Sequence, residues 1–274
     1  MTTGAPGPTA ERLPPDLEPV HAAHLETWWF ATWDVEGAAW WISISAHPAT
    51  RRSWYAAAWV EPGARPVVVA DAEMPWPRPE RYLEIRGRGL WAHHVCEEPL
   101  QRWSIGLEAV AVAHDDPAQG LDDGWGDPDG LAGDVEWEGV GDVVERSDGS
   151  YDQPCRVDGV LERVGRELRP DDAPGHRGRI IGGVEEPALI VAGRLAGRPV
   201  AATAAAPWSA VELPRHATVE LDGTQVSASA TAHAAWRWPD GSVHAVAPVT
   251  LTAADGRTGT GLARWRATAG GSAA

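Results

Sequence analysis

The chain has 274 residues, and its 39 acidic against 23 basic residues give a formal net charge of −16 at pH 7. Nucleic acids and anionic membrane surfaces attract proteins that carry a basic face, so this charge argues against both partners. No apolar run is long enough for a transmembrane helix and the first residues hold no apolar signal core, so we expect a cytoplasmic protein.

Two features of the composition exclude classes of chemistry. The sequence contains no lysine, so Schiff-base catalysis on a side chain and a lysine-bearing phosphate loop are ruled out. Its two cysteines, Cys96 and Cys155, show no CxxC spacing, which argues against a disulfide framework or a zinc knuckle. We therefore expect neither a bound metal nor a cofactor.

The first half of the chain is predicted to consist of strands. Residues 1–20 are rich in Pro, Gly and Ala and are expected to be flexible. Short runs that are rich in tryptophan and β-branched residues follow, each closed by Gly, Pro or Asp, which is typical of strands and hairpins. The predicted strands are 27–34, 39–46, 52–60, 66–72, 82–95 and 101–114, and they form a first domain over 21–114.

Residues 115–133 break every periodicity with Asp, Gly and Pro, so we predict that they connect two domains. A second domain is predicted over 134–270, where turns such as Pro239–Gly241 separate alternating segments. Its predicted strands are 134–140, 151–164, 166–169, 177–182, 187–205, 208–213, 216–221, 225–238, 242–252 and 258–267. The fold class is therefore all-β, in two halves of similar build.

Most of the sixteen tryptophans stand in short runs in which large rings alternate with small residues, which suits the inside of a β-barrel that encloses a hydrophobic ligand. Residues two apart in a strand share a face, so Trp29 and Trp33 point one way while Trp28 and Phe30 point the other. The alternative is that the indoles simply fill a core. The residues predicted to contact a ligand are Trp29, Trp33, Trp41, Trp54, Trp59, Trp91, Trp103, His94 and Tyr151.

Two polar groups are candidates for proton transfer. Asp152 and Tyr151 alternate, so one of them faces inward, and burial of Asp152 would raise its pKa and make it a possible proton donor. The loop around Gly175 carries Asp172, His176 and Arg177, in which an Asp–His pair could relay a proton and an arginine could hold an anion. Exposed positions with ordinary ion pairs are the alternative for both groups.

Three passages resemble a known superfamily. Gly37–His47, Asp134–Gly139 and Tyr151–Arg179 are similar to segments of two-domain lipocalin-like proteins, the group of the hydroxyneurosporene synthase-type carotenoid hydratases, AttH-like and tocopherol-cyclase-like proteins. In the third passage Gly175, His176 and Arg177 match the start of a family motif, whereas 178–182 replace its His-Ser-Trp-Gly part. The resemblance implies two lipocalin-like (calycin) β-barrels or half-barrels packed together.

Three hypotheses of function remain open on this basis. The first, which the resemblance implies, is cofactor-free hydration, cyclisation or isomerisation of an isoprenoid- or polyketide-like substrate. In it an acid such as Asp152 or Asp172 would protonate an alkene, and indole faces would stabilise the resulting cation. The second is a non-catalytic carrier or sensor of an apolar molecule, and the third is a structural module with tryptophan as plain core. The oligomeric state is left open.

Overall fold

The computed structural model describes residues 25–76, 82–122, 124–145, 150–182, 188–205, 216–221 and 223–267. The predicted flexible segment 1–20 and the predicted strand 208–213 lie outside these residues. The described part of the chain contains no helix with the length and apolar character needed to cross a lipid bilayer.

The fold is all-β and is built from two antiparallel sheets, as the sequence predicts. The first sheet has twelve strands and takes up the chain as far as Ile181. In chain order they are β1 (Glu26–Trp33), β2 (Ala39–His47), β3 (Arg52–Val60), β4 (Val67–Pro75), β5 (Tyr82–Gly87), β6 (Leu90–Glu98), β7 (Arg102–Ala113), β8 (Asp127–Gly139), β9 (Val144–Glu145), β10 (Tyr151–Arg163), β11 (Arg166–Leu168) and β12 (Ala173–Ile181).

Strand β8 closes the first sheet on itself. It pairs with β7 from Asp127 to Glu138 and with β10 from Leu131 to Gly139. Since β10 pairs with β12, β12 with β1, and β4 with β7, the pairing returns to its starting point through β1, β2, β3 and β4. A closed circuit removes free sheet edges, as in lipocalin-like barrels.

The second sheet has seven strands, which follow the first sheet in the chain. They are β13 (Ala188–Leu195), β14 (Arg198–Ala205), β15 (His216–Leu221), β16 (Thr224–Ala230), β17 (Ala234–Arg237), β18 (Val243–Ala253) and β19 (Thr258–Ala267). Their order in the sheet is β14-β13-β19-β18-β16-β15, with β17 paired to β18.

The predicted connection 115–133 is only partly irregular. A short 3-10 helix spans Pro117–Leu121. Residues 127–133, however, belong to β8, which pairs with β7 on one side and with β10 on the other. The chain passes from one sheet to the other between Ile181 and Ala188. The domain boundaries stay a prediction.

Two long predicted strands are hairpins in the structure. The predicted strand 82–95 divides into β5 and β6 at Arg88–Gly89, and the predicted strand 187–205 divides into β13 and β14 at Ala196–Gly197. Ala196 and Gly197 both have a positive φ, of 50° and 79°, which is the geometry of a two-residue type I′ turn. The alanine in this turn hides the usual sequence signal.

Strand alternation divides the apolar residues among three cores. The side chains on one face of the first sheet's strands, including Trp28, Phe30 and Trp103, fill the interior of that sheet. A second core lies within the second sheet and includes Val226, Leu251 and Trp265. The opposite faces of the strands meet in a third core, to which both sheets contribute.

Candidate functional site

The third core, here called the inter-sheet layer, brings together aromatic residues from distant parts of the chain. Its members from the first sheet include Trp29, Trp33, Trp41 and Ile180, and those from the second sheet include Trp236, Trp238, Val246 and Leu262. Because β-strand side chains alternate, these residues sit back to back with those that fill the two sheet interiors.

Arg264 of β19 lies against two indole rings of this layer. Its guanidinium carbon is 5.3 Å from the centroid of the Trp29 ring and 5.5 Å from that of Trp41, both within cation–π range. Trp29 also stacks on Trp41 and on His176, with centroid separations of 5.1 and 5.6 Å. A buried cation is thus surrounded by aromatic faces, which replace part of its hydration.

A cavity of about 40 Å³ adjoins Arg264 at one end of the layer. We call it the His47 pocket. Its aromatic wall consists of Trp54, which stacks on His47 at 3.8 Å, and Trp238, which lies 5.2 Å from Trp54. Its polar lining consists of Thr27, Ser45 and His47 from the first sheet and Asp240, Ser242, His244, Arg264 and Arg266 from the second.

The two histidines of the pocket are held neutral at physiological pH. Burial lowers the pKa of His47 to about 4, with Arg266 adding to the effect and Asp240 opposing it. Burial, together with Arg266 and Arg264, lowers the pKa of His244 well below its ordinary value. Each imidazole can therefore accept one hydrogen bond and donate another.

Two polar atoms of the pocket are buried without a hydrogen-bond partner among the described residues: His47 Nε2 and Ser242 Oγ. A buried polar group without a partner costs free energy, and such groups in native proteins are usually satisfied by water or by a ligand. A volume of about 40 Å³ is sufficient for a water molecule or for the polar end of a ligand. The pocket is therefore built to receive polar atoms.

The structure separates the four predicted proton-transfer residues. Asp152 is buried and pairs with Gly178, over which the Trp29 indole lies, so Asp152 and His176 share the face that looks toward the second sheet. Arg177, which alternates with these positions, points into the first sheet. Asp172 is exposed in a turn, where it forms an ion pair with Arg156 at 3.4 Å. Only Asp152 and His176 are thus associated with the inter-sheet layer.

The predicted ligand-contacting residues fall into three groups. The inter-sheet layer contains Trp29, Trp33 and Trp41, with Trp54 packed against it. The interior of the first sheet contains Trp59, Trp103, His94 and Tyr151. Trp91 lies on the outer face of β6, beside an open depression of about 730 Å³.

Aromatic rings inside the first sheet pack against one another. Phe30 lies 5.4 Å from both Trp103 and Trp137, and Trp137 stacks on Trp40 at 6.1 Å. This packing supports the alternative in which these indoles are core.

Several buried polar groups of this interior are paired with one another, whereas Trp40 Nε1, Trp103 Nε1 and His94 Nδ1 have no hydrogen-bond partner among the described residues. The Tyr55 hydroxyl lies 3.2 Å from His94 Nε2, and Arg177 donates to the Tyr151 hydroxyl at 3.3 Å and to Gln153. Burial lowers the pKa of His94 to about 3 and that of Arg177 to about 9. These pairs join polar groups of neighbouring strands within a packed core.

Sequence reasoning missed most of the pocket. Of the pocket residues, only Trp54 is predicted from the sequence, whereas His47, Ser242, His244, Arg264 and Arg266 are not. The available signal was the alternation in β19, where two arginines flank Trp265 and therefore share one face.

Comparisons with known proteins agree with the fold. A family model described as a domain of unknown function, DUF7064, matches residues 10–179. No curated protein matches the sequence.

Similar solved structures include kievitone hydratase from Nectria haematococca, with a TM-score of 0.52, 10% identity and coverage of 87% of this chain and 88% of that one. They also include CghA with Sch210972, with a TM-score of 0.48, 12% identity and coverage of 90% and 89%. The likeness to kievitone hydratase shows a shared all-β, lipocalin-like fold.

Proposed function

The chain belongs to the DUF7064 family, and we propose that it binds a hydrophobic small molecule at the inter-sheet layer, with the polar end of that molecule in the His47 pocket. The observation that carries the proposal is the pocket itself. Its wall combines the indoles of Trp54 and Trp238 with two buried polar atoms that lack partners among the described residues, His47 Nε2 and Ser242 Oγ.

A mainly apolar site with a few convergent polar groups is the usual form of a small-molecule site. Such sites commonly measure about 300–1,000 Å³, whereas this cavity has about 40 Å³. Binding of an isoprenoid- or polyketide-sized body therefore requires Trp54 and Trp238 to move apart. Half-burial of Trp54 at the edge of the layer favours this movement, because fewer contacts have to be broken there.

Catalysis at this site would use Asp152 and His176. Both are buried on the face that looks toward the second sheet, where His176 stacks on the Trp29 ring. A carboxylic acid there could deliver a proton to an alkene in a hydration, cyclisation or isomerisation that needs no cofactor. The second candidate function is a carrier of the same class of ligand, which is favoured because neither Asp152 nor His176 is among the residues that line the pocket.

Retinol, an isoprenoid whose absorption overlaps tryptophan emission, tests binding by fluorescence quenching. We expect saturable quenching and an affinity about tenfold weaker for Trp54→Ala, because the variant removes one wall of the pocket and tenfold corresponds to about 1.4 kcal/mol. Trp125→Ala is the matched control, since Trp125 is 75% exposed. Quenching that does not saturate, or equal affinities for both variants, would refute binding at this pocket.

A measurement of product formation distinguishes an enzyme from a non-catalytic carrier. Retinol, geraniol and β-ionone are incubated with the protein in ¹⁸O-labelled water, and mass spectrometry detects the mass of one added water molecule. We expect Asp152→Ala to abolish hydration while retinol affinity stays within about twofold, because the acid is lost but the pocket wall is kept. Asp172→Ala should retain turnover, since Asp172 is exposed. Binding without product formation by the unmodified protein would leave the carrier as the function.

A further inference from the structure

We infer that the ligand of the His47 pocket carries an anionic group, such as a carboxylate, at its polar end. This inference rests on the proposed function and specifies the ligand class for the same site. It adds a negative charge at the polar end to the apolar, polyene-like ligand that the sequence predicts.

The charges that line the pocket favour an anion. Arg264 and Arg266 contribute two guanidinium groups, and Asp240 contributes a carboxylate, which lies 3.5 Å from Arg266 Nη2. The two histidines are neutral, as their lowered pKa values indicate. The lining of the pocket therefore presents two guanidinium groups, the side chain that binds carboxylates through charge-assisted hydrogen bonds.

The polar atoms that lack partners suit the same ligand. His47 Nε2 and Ser242 Oγ, both buried at the pocket, can each act as a hydrogen-bond donor. Ser242 is only 3% exposed, so bulk water does not satisfy its hydroxyl. A carboxylate accepts several hydrogen bonds at once and is recognised by guanidinium groups through charge-assisted bonds, which are stronger than neutral ones.

Next to Arg264, where the polar end of the ligand is placed, a positive charge on the ligand would be disfavoured. The faces of Trp29 and Trp41 that could stabilise a carbocation are already in contact with the Arg264 guanidinium. A second positive charge next to Arg264 would be repelled in an environment where burial weakens solvent screening. The indoles therefore serve to hold an arginine, and the arginine serves to attract negative charge.

Paired retinoids that share one apolar body test the inference. Retinoic acid and retinol are titrated at pH 8, where a carboxylic acid is ionised. We expect the unmodified protein to bind retinoic acid at least about tenfold more tightly than retinol. Arg266→Gln should remove about tenfold of retinoic acid affinity and change retinol affinity less than about twofold. Arg257→Gln, at a surface turn beside Asp255, is the matched control and should change neither.

Each outcome separates the inference from the proposed function. Equal affinities for the two retinoids, with retinol binding still weakened by Trp54→Ala, would overturn the inference and keep the proposed function. Absence of binding by both retinoids would overturn both. If Arg266→Gln does not fold, Ser242→Ala takes its place, with a loss expected for retinoic acid that exceeds the loss for retinol. An equal loss for the two ligands would count against an anionic ligand.

Discussion

At the scale of single residues, burial decides which polar groups carry charge. His94 is completely enclosed in the first sheet beside Tyr55 and Phe30, and its pKa is lowered to about 3. His47 and His244 lie at a cavity, where the same effect keeps them neutral but in contact with polar neighbours. Burial thus keeps a histidine neutral both inside a packed core and at the lining of a cavity.

The buried His94 makes stability depend on pH. An unfolded chain has a histidine pKa near 6.5, so between about pH 6.5 and 3 the unfolded state binds a proton that the native state does not. Stability from this residue is present above pH 6.5 and is lost as the pH falls. Urea titrations measure the free energy of unfolding at pH 6.5 and at pH 4. We expect its decrease between these two pH values to be about 3 kcal/mol smaller in His94→Gln than in the unmodified protein.

Glutamine keeps a hydrogen-bonding partner for Tyr55 but does not titrate, so the difference between the two proteins isolates the charge of His94. His216→Gln is the control, since His216 is exposed and bonded to Ser229. Parallel pH profiles for His94→Gln and the unmodified protein would show that His94 is protonated in the folded state.

At the scale of strands, close approach between neighbours shapes the inter-sheet layer. A Cβ atom at Gly178 of β12 would lie 2.7 Å from Trp29 Cε2 and Nε1 and 2.7 Å from the Tyr151 carbonyl oxygen. Only glycine leaves room for the Trp29 indole to lie flat over β12. This contact places the ring between His176 and Arg264.

Gly178→Ala is expected to lower the free energy of unfolding by about 1–3 kcal/mol, because the added methyl group overlaps both a packed ring and backbone. It should also weaken retinol binding, because Trp29 shifts under Arg264. Gly130→Ala provides the comparison in β8, where the nearest atom to an added Cβ is 3.8 Å away. Denaturant titrations measure both variants. Equal stability of the two would contradict the close packing of Trp29 on Gly178.

At the scale of the whole molecule, the candidate site exists because two sheets pack together. Thr27 and His47 come from the first sheet, whereas Ser242, Arg264 and Arg266 come from the second. Neither sheet has the pocket by itself. Trp54 belongs to the first sheet and Arg266 to the second. We therefore expect both Trp54→Ala and Arg266→Gln to weaken the binding of retinoic acid.

Much of the architecture was predictable because strand signals are local. Alternation in runs such as Thr27–Asp34 and the turns at Pro239–Gly241 lie within a few residues, so the all-β class followed from the chain. Asp152, His176 and the outward tryptophans were predicted as site residues because their residue types are distinctive, and their role stays a prediction. The predicted strand boundaries differ from the structure where the local sequence is misleading. Examples are the start of β8, which is rich in Asp and Gly like a linker, and the Ala196–Gly197 turn.

Sequence alone determined the strand class, the acidic charge, the absence of lysine chemistry and the fact that Trp29 and Trp28 lie on opposite faces, since each depends on composition or on a period of two residues. Tertiary structure alone decided which face meets the second sheet. That choice depends on contacts such as Trp29 with Arg264, more than 200 positions apart. Pairing over such distances is set by the packing of whole sheets, and the environment of His47 follows from it.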